Sequence, residues 1–371
     1  MHKEGTMTKH RLDEVWSGSA EAYQDHILAL VSRTFALTTP QLPAGLRSVV
    51  GNAYLLCRVA DTIEDEAGLD SQRKRQLLDA FVGVVAGSRP VAGFVAVLHP
   101  ALSRSTSPAE RDLVKNLDQV LRITASFNVT QRAAINRCLR IMTGGMHQFQ
   151  SRAGLQGLAD VSELDRYCYF VAGVVGEMLT ELFCDFSADI ALRRQALREL
   201  QVSFGQALQM VNILKDLWDD RSRGVVWYPR DVFARRGFDL ATLAPGQCDA
   251  AFADGLRELI AVAHAHLRNA LAYICLIPGH EIGIRTFCAW ALQLAVLTLG
   301  NLHQRPHFAS SDEIKVSRAA LARVIALSNL TVGSNSLLTA QFNWLARGLP
   351  LASLGRPAAP AGVEMRATTA A

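Results

Sequence analysis

The chain is short of charge, of paired cysteines and of any alternating pattern. Charged residues make up 19% of it, and the net charge is +4. So slight an excess over 371 residues argues against a dedicated nucleic-acid binder, and no nucleic-acid partner is expected. The seven cysteines are scattered, odd in number and without a C-x-x-C pair. That pattern suits reduced, mostly buried thiols in a cytoplasmic protein. No stretch alternates at period two, so no sheet is expected. There is no G-x-G-x-x-G fingerprint, so any nicotinamide site would not be a dinucleotide-binding fold. Residues 1–14 lack the apolar core of a signal peptide. The most apolar stretch, Ile282 to Gly300, is interrupted by Arg285 and Gln293. It reads as a buried helix too short to cross a bilayer comfortably.

What is present is helical periodicity on a 50% hydrophobic composition, enough for an ample core. With no internal repeat and no splitting linker, the economical reading is one all-α domain over residues 19–347. Residues 1–18 are expected to be flexible and 348–371, rich in Ala, Pro and Gly, disordered. Helices are expected over 19–37, 45–66 and from Asp70 or Ser71 to 85. A capping box with proline at the first helical position, Ser107-Pro108-Ala109-Glu110, opens one over 107–126. Thr130 caps the next, to 149, and Ser162 another. The rest fall at 188–220, 249–276, 280–303 and 312–347, the last with a capping box at Ser310 and Glu313. Gly144-Gly145 suggests a close neighbour late in its helix. The spacing of Gly173 and Gly176 suits close helix packing or room for a ligand.

Two acidic stretches stand out. In the first, Asp61 and Asp65 are one helical turn apart, with Tyr54 and Arg58 on the same side. In the second, at about 100° per residue, Gln209, Asn212, Asp216, Asp219 and Asp220 share a face opposite Ala207, Val211, Leu214 and Trp218. Such crowding is repulsive unless a cation sits there. Oxygen-only ligands on a rigid element suit Mg²⁺, which takes one or two carboxylates plus waters and phosphates. A solvated helix end explains the second stretch alone equally well. Two such helices in one chain, facing across a cavity, would hold several ions able to grip a diphosphate.

Five pieces in order carry a resemblance. They are Ser32-Arg33-Thr34-Phe35, Asp61-Thr62-Ile63-Glu64-Asp65, Tyr167 to Gly173, Asn212 to Asp220, and Trp227-Tyr228-Pro229. Over roughly 19–330 the chain resembles the squalene/phytoene synthases, head-to-head prenyl transferases, and within them the squalene synthases. The resemblance implies an all-helical isoprenoid synthase fold around a central cavity. It implies Mg²⁺, or Mn²⁺, held by Asp61, Glu64, Asp65, Asn212, Asp216 and Asp220. It implies substrate contacts from Ser32, Arg33, Arg58, Asn212, Lys215 and Phe287, and catalysis by the four aspartates with Tyr167. NADPH would be met by Arg58, Lys315 and Arg318.

Two farnesyl diphosphates would give presqualene diphosphate, then squalene by hydride transfer. Two departures from the family pattern are Lys215 in place of an arginine and Trp-Asp-Asp in place of Glu-Asp. The C-terminal anchor of eukaryotic members is missing.

Plainer explanations stand beside each of these. Tyr167, Phe287 and Trp290 are at core spacing, Trp227 and Tyr228 could plug a loop, and Lys315 and Arg318 could be a solvated helix start. His264 and His266 lie on different helix faces, which discounts a metal role. The competing functions are a dehydrosqualene or phytoene synthase, ending in proton loss, and a non-catalytic helical carrier of prenyl diphosphates or lipid. A monomer is expected, cytoplasmic and loosely held on the inner face of a membrane through basic residues such as Arg235 and Arg236.

Overall fold

The computed structural model describes residues 12–150 and 154–354. Helices begin where a short polar side chain takes the first free N–H groups. Ser19 caps α1 (Ala20–Val31) and Ser32 caps α2 (Arg33–Thr38). The single helix expected over 19–37 is two because Ser32 is extended. Pro43 precedes α3 (Ala44–Asp65), and Asp70 caps α4 (Ser71–Val85). After α5 (Val91–Leu98), the Ser107–Glu110 capping box forms and opens α6 (Pro108–Lys115). Asn116 then divides off α7 (Leu117–Ser126). α8 (Val129–Gln150) is capped by Asn128, which accepts from the Gln131 N–H, rather than by Thr130.

α9 (Val161–Cys168) starts at Asp160 and passes through a π-helical turn, Tyr169–Gly173, into α10 (Val174–Phe186). α11 (Ala188–Ala191) is one turn. α12 (Arg194–Lys215) carries the second acidic stretch until Asp216 breaks it, and α13 (Leu217–Ser222) follows. α14 (Arg230–Ala234) leads to the long α15 (Ala250–Leu276) and α16 (Ile282–Gln304). The helix expected over 312–347 is a 3₁₀ turn (Ser311–Ile314), then α17 (Arg318–Thr331) and α18 (Asn335–Leu345). Ser317 and Ser334 restart the helix each time; Ser310 makes no side-chain cap. Among the described residues no strand forms, and an isolated bridge joins Leu158 to Pro229.

The apolar faces close on one continuous core, from Tyr23 on α1 to Ala346 beyond α18. Glycines set the closest approach. A Cβ on Gly176 would lie 2.1 Å from the Gln201 carbonyl oxygen, and one on Gly205 2.0 Å from that of Ala172. α10 and α12 therefore touch backbone to backbone, as the glycine spacing suggested. Gly145 admits the Phe170 ring, whose Cβ would be 2.2 Å from an added methyl.

Three expectations are corrected. Residues 12–18 are not loose: the Asp13 and Trp16 N–H groups donate to Asp112 and Asn116. Nor are residues 348–354, where the Ala352 N–H donates to the Ala261 carbonyl and His264 Nδ1 to that of Pro350. The remainder of both segments, 1–11 and 355–371, lies outside the described residues. Finally, Ile282–Gln304 is long and apolar enough to cross a membrane by length and composition, as are Val161–Phe186 and Ala250–Leu276. Arg285 sits near the start of its helix and leaves a sufficient window beyond it. More than half of each window is nonetheless buried within the fold.

Candidate active site

The helices enclose a cavity of about 1950 Å³. α3 lines it with Arg58, Asp61, Glu64 and Asp65; α12 and α13 line it with Asn212, Lys215, Asp216 and Asp220. Ser32, Tyr167, Phe287, Lys315 and Arg318 reach the same space from four other parts of the chain. Every site residue expected from sequence thus lines one cavity, except Arg33, whose side chain lies outside the described residues. Asp219 is exposed and does not line it. The rest of the wall is largely apolar, including Val175, Leu179, Phe183, Phe204 and Leu294.

The carboxylates repel one another more than their neighbours compensate. Glu64 is pushed up to about 8 by burial and by Asp61 and Asp65, against Lys74 and Arg223. Asp61 rises to about 7 through burial, with Arg58 opposing and Asp65 and Glu110 adding to the rise. Its side chain is 38% exposed, so this burial is enclosure by the cavity walls rather than direct packing. Asp220 rises to about 6 by burial, with Arg223 opposing and Asp216 and Asp65 adding. Asp216 also rises by burial, held back by Lys215 at 3.0 Å. Arg58 lies 3.8 Å from Asp61 and pairs with Glu110.

Carboxylate and amide oxygens with unmet negative charge are the donor set that Mg²⁺ or Mn²⁺ takes. Among the described residues, no three acidic, histidine or cysteine side chains converge closely enough to hold an ion by themselves. That arrangement fits ions completed by water and phosphate oxygens, and it would load together with a diphosphate.

Tyr167 is buried, its ring stacked on Trp227 at 4.0 Å and set edge-on to Phe149 at 5.2 Å. Burial, then the charges of Glu64, Cys168, Asp65 and Asp220, raise its hydroxyl well above the usual range, so it stays protonated. Ser32 spends its oxygen on the Phe35 N–H and so sets the start of α2. Phe35 in turn stacks on Tyr54 and meets Phe287 edge-on.

Sequence reasoning missed four contributors. Glu110 doubles as capping residue and partner of Arg58. Lys74 lines the cavity and donates to the Glu64 carbonyl. Trp227 is the face on which Tyr167 rests, while its neighbour Tyr228 is core and donates to the Leu214 carbonyl. Arg223 lies between the two acidic helices. The one available signal was the position of Arg223 and Trp227 directly after the second acidic stretch. Arg235 and Arg236, expected to face a membrane, are paired with Glu258, and Arg235 with Asp231 also.

Known proteins share this construction. The family model for squalene/phytoene synthase matches residues 28–320. The chain is 28% identical to squalene synthase BSS of Botryococcus braunii over 312 residues, covering 82% of this chain and 63% of that protein. It is 27% identical to the squalene synthase of Schizosaccharomyces pombe over 308 residues, 81% of this chain and 63% of that one. The chain therefore spans less than two thirds of the length of these relatives. The solved structure of TcSQS with the ligand BPH1237 superimposes with a TM-score of 0.70 at 22% identity, over 88% of this chain and 98% of that one. This likeness shows the all-α isoprenoid synthase fold, and with a family match running from α1 to α17, the chain belongs to the squalene/phytoene synthase family.

Proposed function

We propose that this protein is a squalene synthase. It joins two farnesyl diphosphates head to head into presqualene diphosphate with loss of one diphosphate. It then reduces that product with NADPH to squalene, releasing the second diphosphate and NADP⁺. The observation that carries this reading is the convergence of two acidic helices on one cavity whose remaining wall is apolar.

Mg²⁺, when bound, supplies charge neutralisation of the departing diphosphate without proton transfer. Asp61, Glu64 and Asp65 would hold it from one side, and Asn212, Asp216 and Asp220 from the other. Arg58 and Lys215 add fixed positive charge beside them. The apolar wall keeps water from the allylic cation that forms when diphosphate leaves. Phe287, edge-on to Phe35 and Phe183, offers that cation a ring instead of a nucleophile. Tyr167 keeps its proton and presents it next to the diphosphate end, where it can assist departure. Incubation with farnesyl diphosphate, Mg²⁺ and NADPH is expected to give a C30 hydrocarbon, with activity abolished by chelation. No C30 product, or activity indifferent to chelation, overturns the reading.

A second reading has one observation in its favour. Of the three residues proposed to meet NADPH, Arg58 is paired with Glu110 and Lys315 with Asp312. A protein whose cations are so committed would end the reaction by proton loss, as a dehydrosqualene or phytoene synthase does. A product unchanged when NADPH is omitted, with conjugated-triene absorbance, selects this reading; preference for geranylgeranyl diphosphate selects phytoene.

We also propose that the protein is cytoplasmic and monomeric and rests loosely on the inner face of a membrane, into which a C30 hydrocarbon must pass. Exposed apolar residues such as Leu330 and Trp344 support contact with lipid. Such a protein sediments partly with membranes at low ionic strength and is released by salt.

A further inference from the structure

The turn after α13 holds an arginine for which the proposed chemistry has no role. The Arg223 and Val225 N–H groups both reach back to the Asp220 carbonyl, at 2.9 and 3.1 Å. Gly224 permits this with φ of 83°, a left-handed conformation that glycine takes without steric cost. The turn folds the Arg223 side chain back over its own helix. Its guanidinium lies 2.5 Å from Asp220 and 3.8 Å from Asp65. Asp65 is the last residue of α3 and Asp220 sits in the first turn of α13, so a single cation spans the two acidic helices.

The other cations nearby are differently placed. Arg58 pairs with Asp61 and Glu110, Lys215 with Asp216, and Lys74 reaches the Glu64 carbonyl. Among these ion pairs, only those of Arg223 touch both helices. Yet Arg223 and Asp65 are each more than half exposed, at 54% and 52%. Ion pairs so open to solvent add little stability, so this one is a poor brace for the fold. It is instead easy to undo. A singly charged group on a flexible stem occupies carboxylates whose chemistry suits a small doubly charged ion.

We propose that Arg223 is a displaceable counter-cation. It holds Asp65 and Asp220 in the metal-free protein and competes with divalent ions for those two carboxylates, so that free ions bind weakly before the diphosphate arrives. This rests on the metal reading above, and Arg223 is a positioning residue in it.

The test is thermal melting of the intact protein against Mg²⁺ concentration, without substrate. In Arg223→Gln, the Mg²⁺ concentration giving half the maximal rise in Tm is expected to fall about fivefold, the scale of one partly exposed ion pair. Arg223→Lys, which keeps the charge but reaches one carboxylate at a time, should fall between that variant and wild type. A merely structural arginine would lower Tm at every Mg²⁺ concentration and leave the midpoint in place. A midpoint in Arg223→Gln equal to or above wild type overturns the proposal. Should that variant not fold, an unshifted midpoint in Arg223→Lys overturns it equally. A wild type whose Tm ignores Mg²⁺ overturns the metal reading and this proposal together, whereas a wild-type response with unmoved variants overturns this proposal alone.

Discussion

The two acidic stretches carry similar charge but stand at opposite ends of helices. Asp61, Glu64 and Asp65 occupy the last turn of α3, where free backbone carbonyls already point outward. Asp219 and Asp220 occupy the first turn of α13, where free N–H groups point outward. Negative side chains are unfavourable at the first kind of end and favourable at the second. The titration shifts run the same way: about 7 and about 8 for Asp61 and Glu64, against about 6 for Asp220. The first helix thus has the greater unmet need for positive charge. Arg58 and Lys74 both stand on that side and leave the need only partly met.

The comparison breaks first if the two stretches are unequal in catalysis. Asp61→Asn and Asp220→Asn should each lower turnover by several hundredfold, ~10²–10³, as loss of one strong transition-state stabiliser does. Product formation from farnesyl diphosphate measures it, and near wild-type activity in a folded variant of either stretch would dispose of the paired site. Tyr167→Phe comes next. The ring stack on Trp227 survives and the proton does not, so turnover should drop by about a hundredfold with little change in Tm.

Stability against pH sharpens the contrast between the helices. Glu64 has an ordinary value of 4.5 and a folded value of about 8, so the folded protein binds this proton more tightly than the unfolded chain. Its contribution is fully present below 4.5 and is lost as pH rises toward 8. In EDTA, Tm should fall across that window by on the order of a few degrees. Glu64→Gln should flatten the curve up to about 8, whereas Asp220→Asn should flatten it only to about 6. Identical curves for the two variants would remove the distinction between the helix ends. The smallest effect is a null one. Arg235→Gln should leave co-sedimentation with anionic vesicles unchanged, because its guanidinium is already given to Glu258 and Asp231.

Much of this was legible because it is written at helical spacing. Asp61 and Asp65, or Asp216 and Asp220, share a face in any α-helix, so their placement needed no tertiary information. The apolar partners of α15 and α16 were legible for the same reason. What the chain hid depends on contacts between distant segments. Nothing local pairs Arg58 with Glu110, 52 positions away. Nothing local commits Arg235 and Arg236 to Glu258 on another helix. The break at Asp216 escaped because a helix of good propensity runs through it on paper. Ser317 and Ser334 were missed because an uninterrupted periodic pattern outweighed single capping residues inside it.

The π-helical turn at Tyr169–Gly173 has a consequence for insertions and deletions. A π turn accommodates one residue more than the α-helix around it. Removing any one residue from 169–173 would let the backbone relax to ordinary geometry without unfolding. Everything downstream would then change phase by about 100° relative to Tyr167. Val175 and Leu179 would leave the cavity wall, and Gly176 would no longer face the Gln201 carbonyl. The extra residue is therefore a phase adjuster between two helical stretches, one aimed by Tyr167 and the other by a glycine. A single-codon deletion there should be far more damaging than one in the neighbouring loop at Gly157, although neither removes a charged group.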